Sequence, residues 1–263
     1  MKKRLLTIPV MAAVFLAACG NRQQAAAPSV LDDGVLTVGL LDTGDRSCYS
    51  AKAEDGTAIY KGWEPDVFKL LDHFNEDVTV EYTMAQDREE LLNLLDNGSI
   101  DVAAGAFTRL EAYDTQYAMS DDYGYGSIYL INSRNGYLDT LAAFEDGIIG
   151  VSALLPANDT ASITGIDKVV QNAYSDMSLM ASDISNEVIN AGLCTESEMV
   201  EIMNSSDLRA AELRTTPQTA LVFLMPKGQD YLQSWVNWAI DRHFYDMETG
   251  TDSTAEAASQ GGN

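Results

Sequence analysis

Metal, redox and nucleophilic chemistry draw on cysteine and histidine, and this chain uses both sparingly. Its 263 residues include 3 Cys, and its 2 His are His73 and His243. Cys48 and Cys194 lie far apart and lack the short spacings of a metal site. In an oxidising compartment they could pair, although nothing in the sequence brings them within bonding distance. The two histidines are far apart and neither has a cysteine near it, so both read as surface or helix-face residues. No metal and no other cofactor is expected. Charge narrows the partners. With 16 Lys+Arg against 40 Asp+Glu, the formal charge is −24. Phosphate recognition needs clustered basic residues, so nucleic acid is excluded as a partner. The acid excess favours cationic or neutral partners. Hydrophobic residues at 46% and charged residues at 21% are globular proportions, which excludes wholesale disorder. The length fits one or two domains.

The third cysteine carries a different chemistry. Lys2, Lys3 and Arg4 form a basic start, Leu5 to Leu16 a short apolar run, and Leu16-Ala17-Ala18-Cys19 closes it. The run is too short for a permanent membrane helix, and its flanks are those of an export signal. Small residues before a cysteine resemble the bacterial lipoprotein cleavage box. Residues 1–18 are then a leader, Cys19 a lipidated (palmitate-bearing) N-terminus, and 19–33 a tether. Loss of the three leader cations takes the formal charge from −24 to −27.

The remaining elements are legible from periodicity. Val35–Leu41 reads as a buried strand, and Glu64–Phe74 as a helix with Val67, Leu70, Leu71 and Phe74 on one stripe. Val78–Tyr82 alternates as a strand does. Arg88–Asp96 is helical and ends at Asn97-Gly98. Ile100–Ala106, Ser127–Asn132, Ile148–Val151 and Thr219–Met225 read as strands, and Tyr231–Tyr245 as a helix with Leu232, Trp235, Val236, Ala239 and Ile240 inward. Alternating strands and helices predict an α/β protein with a parallel sheet. Residues 249–263 are rich in Ser, Ala and Gly and read as a disordered tail.

Several runs, in order, resemble the extracellular solute-binding proteins of the polar amino-acid uptake family. They are Gly34-Val35-Leu36-Thr37-Val38-Gly39, Gly62-Trp63-Glu64-Pro65-Asp66-Val67, Leu95-Asp96-Asn97-Gly98-Ser99-Ile100-Asp101 and Met119-Ser120-Asp121-Asp122-Tyr123. Weaker likeness continues through Gly150-Val151, Asn158-Asp159-Thr160-Ala161 and Thr215 to Gly250, while Lys168 to Asp207 hardly matches. The resemblance implies a two-lobed type II periplasmic-binding fold. Each lobe is then a mixed, mainly parallel sheet flanked by helices, with two crossover strands at a hinge. Lobe 1 is expected at 34–130 plus 221–248 and lobe 2 at 131–220. The ligand would sit in the cleft between them.

The same resemblance implies a contact set. The family holds an α-carboxylate with a Thr and an Arg five residues later; here Thr108 takes the first position and Tyr113 the second. One neutral hydroxyl does not replace a bidentate guanidinium. Arg109 could supply the cation, or could point to solvent. Tyr49 falls near one aromatic platform and Arg88 on the other, and Trp63 and Phe107 complete the first-lobe set. In the second lobe Asn158, Asp159 or Thr160 could meet a carboxylate, with Thr160 at the family position. Glu196 could meet the ligand's ammonium, although Thr195-x-x-Glu198 also reads as a capping box.

The expected function is a lipid-anchored, extracytoplasmic, monomeric receptor that passes a small polar solute, an amino acid or amino-acid-like, to an ABC permease. It is not expected to be an enzyme. Two alternatives stand. One is a non-transport surface adaptor on the same scaffold. The other is a cyclohexadienyl-dehydratase-like enzyme, whose general acid would fall on Glu64 or Asp42.

Overall fold

A computed structural model describes residues 33–53, 55–74, 77–133, 147–155, 173–213 and 218–249. The expected leader, Cys19, the expected tether up to residue 32, Asn158 to Thr160 and the expected tail from 250 lie outside them, while Thr249 ends a helix rather than starting the tail. Among the described residues, no helix is long and apolar enough to cross a membrane.

The chain forms the expected two-lobed α/β architecture. In the first sheet β1 (Val35–Leu41) is flanked in parallel by β4 (Thr79–Ala85) and β5 (Val102–Thr108). The later strand β13 (Thr219–Pro226) adds antiparallel to β5 and carries the short β6 (Tyr117–Met119) and β7 (Gly124–Gly126). Every residue of β5 is buried, as expected of a strand covered on both faces. A small hairpin, β2 (Tyr49–Lys52) and β3 (Ala58–Lys61), stands apart.

Helices cover this sheet for local reasons. α1 (Trp63–Phe74) turns Val67, Phe68, Leu70 and Leu71 inward. Phe68 meets Phe223 at 4.8 Å, and Tyr123 stacks on the same ring at 4.2 Å. α2 (Arg88–Asp96) begins where the Asp87 carboxylate accepts from the Glu90 N–H, and it buries Leu91 and Leu95. The short α3 (Glu111–Gln116) follows β5, and α6 (Asp230–Thr249) packs along α1.

The second sheet has the order β10-β9-β11-β8-β12, from Ala173–Tyr174, Ile149–Ser152, Ala191–Thr195, Ile128–Asn132 and Arg209–Glu212. α4 (Met177–Ser185) and α5 (Glu196–Ser205) pack on it. Both sheets are mixed rather than purely parallel, because β13 returns antiparallel to β5 and β8 runs antiparallel to β11. The expected lobe boundaries at 130/131 and 220/221 fall inside strands. β8 pairs along its length in the second sheet, and β13 already pairs with β7 at Thr219 in the first.

Cys48 and Cys194 are free and fully buried, one in each lobe's core, so they do not form the disulfide that export would allow. Burial pushes both thiols well above their usual range. A thiol reagent is therefore expected to leave both unmodified in the native protein and to label both on unfolding. Rapid native labelling of either would contradict this packing.

Candidate functional site

The carboxyl ends of β1, β4 and β5 in one lobe face those of β9 and β11 in the other, the usual ligand position in open α/β sheets. After β1 the loop from Asp42 to Cys48 is knitted by its own side chains. Asp42 accepts from the N–H groups of Gly44 and Ser50, and Asp45 accepts from the Ser47 N–H and the Thr43 hydroxyl. The Thr43 and Gly44 N–H groups both donate to the Cys48 carbonyl. The first two N–H groups of α1 then dock the loop: Trp63 donates to the Arg46 carbonyl and Glu64 to that of Ser47, each at 3.0 Å.

This docking places Arg46. Its guanidinium lies 4.8 Å from the Trp63 ring centroid, and that ring also lies against Gly124. The same group donates to the Tyr125 carbonyl at 3.2 Å and to Glu196 Oε2 at 2.8 Å. Glu196 belongs to the opposite lobe. It is the first residue of α5, where the Thr195 hydroxyl and the Glu198 carboxylate form a capping box. Glu198 is buried and also accepts from the Ser152 hydroxyl at 2.6 Å, tying the end of β9 to the start of α5. Thr195 and Glu198 form the expected capping box, and Glu196 beside them reaches across to the other lobe.

Arg88 makes a second bridge. At the start of α2 it donates through Nε to the Gly105 carbonyl at 2.9 Å and through a terminal nitrogen to Ser197 Oγ at 2.6 Å. It faces the cleft. A third bridge runs from the fully buried Thr108 hydroxyl to the Leu154 carbonyl. Beneath them β5 bulges: Ala106 has φ 50, and pairing with β13 slips between Val222 and Leu224. The Ala106 N–H donates to Glu64 Oε1 at 2.7 Å, and the Tyr123 hydroxyl donates to the same oxygen at 2.5 Å. Glu64 is wholly buried, and Oε2 has no hydrogen-bond partner among the described residues. Burial pushes its carboxyl up to about 7.

Between the bridges lies a cavity of about 10 Å³ lined by Asp45, Ala106, Glu196 and Ser197, room for one water. Beside it, between the β1 loop, the start of α2 and α5, a cavity of about 460 Å³ is lined by Asp42, Asp87, Arg88, Ser197 and Glu201. Burial raises the Glu201 carboxyl. A further hollow of about 410 Å³ holds Arg46, Tyr49, Trp63 and Lys61 on the outer side.

Of the expected contacts, Trp63, Arg88, Thr108 and Glu196 converge on the cleft. Tyr49 stays at its outer hollow. Arg109 does not enter: it pairs with Asp122 at 2.6 Å and donates to the Ser120 carbonyl within its own lobe. Phe107 is a core residue with no exposure, and Tyr113 packs edge-on against it at 5.5 Å and beside Tyr117. The structure places these three away from the cleft. The β5 pleat turns Phe107 into the core cluster of Leu91 and Leu95. Thr160 lies outside the described residues. Sequence reasoning missed Arg46 and Ser197.

A family model described as bacterial extracellular solute-binding proteins, family 3, matches residues 37–250. Solved structures share the fold. An ancestral arginine-binding protein bound to glutamine has TM-score 0.57 at 17% identity, with 86% of this chain and 97% of that chain covered. An amino acid ABC transporter substrate-binding protein from Streptococcus pneumoniae bound to L-arginine has TM-score 0.59 at 17% identity, with 88% and 98% covered. An ancestral amino-acid-binding protein, a precursor of cyclohexadienyl dehydratase, has TM-score 0.54 at 14% identity, with 88% and 96% covered. No curated protein matches the chain.

Proposed function

The chain belongs to the bacterial extracellular solute-binding proteins, family 3, and from that premise we propose that it is the capture protein of an ABC importer, taking an amino acid or amino-acid-like solute into the cleft between its lobes. A lipid on Cys19 would hold it at the outer face of the cell membrane, and a permease would receive the solute.

The observation that carries this reading is the convergence of strand ends from both lobes on one polar cleft. Five carboxylates, Asp42, Asp45, Asp87, Glu196 and Glu201, line its two cavities, opposed by Arg46 and Arg88. The excess of acid favours a cationic or zwitterionic solute over an anion. L-arginine and glutamine in the structural neighbours support an amino-acid class. A dehydratase role has less support. Glu64 is buried with Oε1 engaged twice, and Asp42 binds its own loop through both oxygens.

Thermal unfolding of the purified protein against amino acids of each charge class, polyamines, organic acids and prephenate tests the reading. One chemical class is expected to raise the midpoint. A solute at a hundred times its Kd adds about 2.7 kcal/mol, roughly 5 °C or more for a chain of this size. A flat response across the panel would turn the assignment toward a protein-binding adaptor.

A further inference from the structure

Arg46 is engaged as a bound cation would be. Its guanidinium has an aromatic face, a carboxylate and a carbonyl within reach, supplied by Trp63, Glu196 and Tyr125. Those three groups are what recognises a guanidinium or ammonium of any origin. We propose that Arg46 is a tethered stand-in for the cationic group of the solute. Binding is then an exchange, in which the solute's guanidinium or ammonium takes Trp63 and Glu196 while Arg46 swings to water. The inference rests on the solute-receptor reading above and names the ligand class for it.

The tether is built for this. The Arg46 backbone is fixed on the first turn of α1 through the Trp63 N–H, so its side chain starts beside the ring it covers. Glu196 is fixed independently, at the capped start of α5 in the other lobe. The side chains of the pair are 41% and 20% exposed, so the contact stands partly in water. A pair so exposed is weak by itself. It persists because the guanidinium is present at the effective concentration of a short tether. The outer hollow along Arg46, Tyr49 and Lys61 gives the displaced side chain room. The contact also crosses between lobes, so the group that fills the subsite helps hold the cleft shut.

A stand-in that holds the subsite nine-tenths of the time lowers apparent affinity about tenfold. Calorimetric titration of wild type, Arg46→Ala and Glu196→Gln with L-arginine and with N-ethylguanidinium therefore separates the roles. Arg46→Ala is expected to bind both probes about tenfold more tightly than wild type. Glu196→Gln, which removes the shared carboxylate, is expected to bind them more weakly than wild type. Without added solute, small-angle scattering should show both variants more extended than wild type, and L-arginine should recompact only Arg46→Ala. A purely structural bridge would shift both variants the same way in binding. Equal or weaker binding by Arg46→Ala overturns the proposal, as does a wild-type-like compact form for both variants. If wild type responds to a neutral or acidic solute and Arg46→Ala gains nothing for cations, the inference fails and the receptor reading stands. If no solute binds either protein, both fail.

Discussion

Gly62→Ala is expected to lower stability by roughly 3–5 kcal/mol, because it combines backbone strain with the loss of two backbone hydrogen bonds. Gly62 has φ +125, a region that a side chain strongly disfavours. A Cβ there would lie 2.5 Å from the Ser47 carbonyl oxygen and 2.8 Å from that of Arg46. Both neighbours are main chain and cannot swing aside. The loop would have to retreat from α1, breaking the bonds from the Trp63 and Glu64 N–H groups. The same retreat moves Arg46 off the Trp63 ring. Calorimetry should record a fall in midpoint of roughly 10 °C. Gly56→Ala is the control: φ is +87, but among the described residues a Cβ there meets nothing within 4 Å. Its cost should be about 1 kcal/mol, from strain alone. Equal losses for the two variants would refute the contact-based account.

A second large effect depends on pH and centres on Glu64. Burial raises its carboxyl from 4.5 to about 7. The folded protein therefore holds a proton that the unfolded chain has released. Below pH 4.5 both states are protonated, and the favourable neutral form is fully present. Between about 4.5 and 7 stability falls as pH rises, and above 7 the penalty of a buried carboxylate is complete. The shift corresponds to about 3 kcal/mol. Other groups titrate over the same range, so the useful quantity is a difference. Denaturant unfolding of wild type and Glu64→Gln should show the variant gaining on wild type by about that amount from pH 4.5 to 8. A difference that stays constant with pH would show that Glu64 does not titrate in this window.

Much of the scaffold was legible because its signals are local. β1 and α2 fall at Val35–Leu41 and Arg88–Asp96, where apolar periodicity, the Asp87 cap and Asn97-Gly98 all act within one segment. The hairpin β2–β3 was not legible. Tyr49-Ser50-Ala51-Lys52 is mostly exposed and carries no buried alternation, so Gly56 was its main signal. The direction of β13 depends on pairing with β5, more than a hundred residues earlier, and no local pattern encodes it.

The site divides the same way. The resemblance pointed to Trp63, Arg88, Thr108 and Glu196, because each sits at an element terminus with a recognisable local motif. It could not supply their partners. Arg46 and Glu196 are 150 positions apart, and only the closure of one lobe on the other joins them. Phe107 and Thr108 are adjacent in a strand buried on both faces, so hydrophobicity could not show which faced a core and which the cleft. Arg109 carried the right charge, but Asp122, thirteen residues on, claims it.

The order in which the strands are joined bears on how the chain folds. Among the described residues, the strands of the second sheet lie between Ile128 and Glu212, whereas the first sheet needs β13 and α6 from the last part of the chain. Gly126 and Thr219, on either side of that insertion, are partners in the first sheet, and the Thr219 hydroxyl donates to the Gly126 carbonyl. As the polypeptide emerges, the half that starts first finishes last. β1, β4 and β5 wait with an open edge until a long loop closes, while the inserted half completes itself from nearer contacts. The edge of β5, apolar up to Thr108, is then the surface most open to pairing with other chains until β13 arrives.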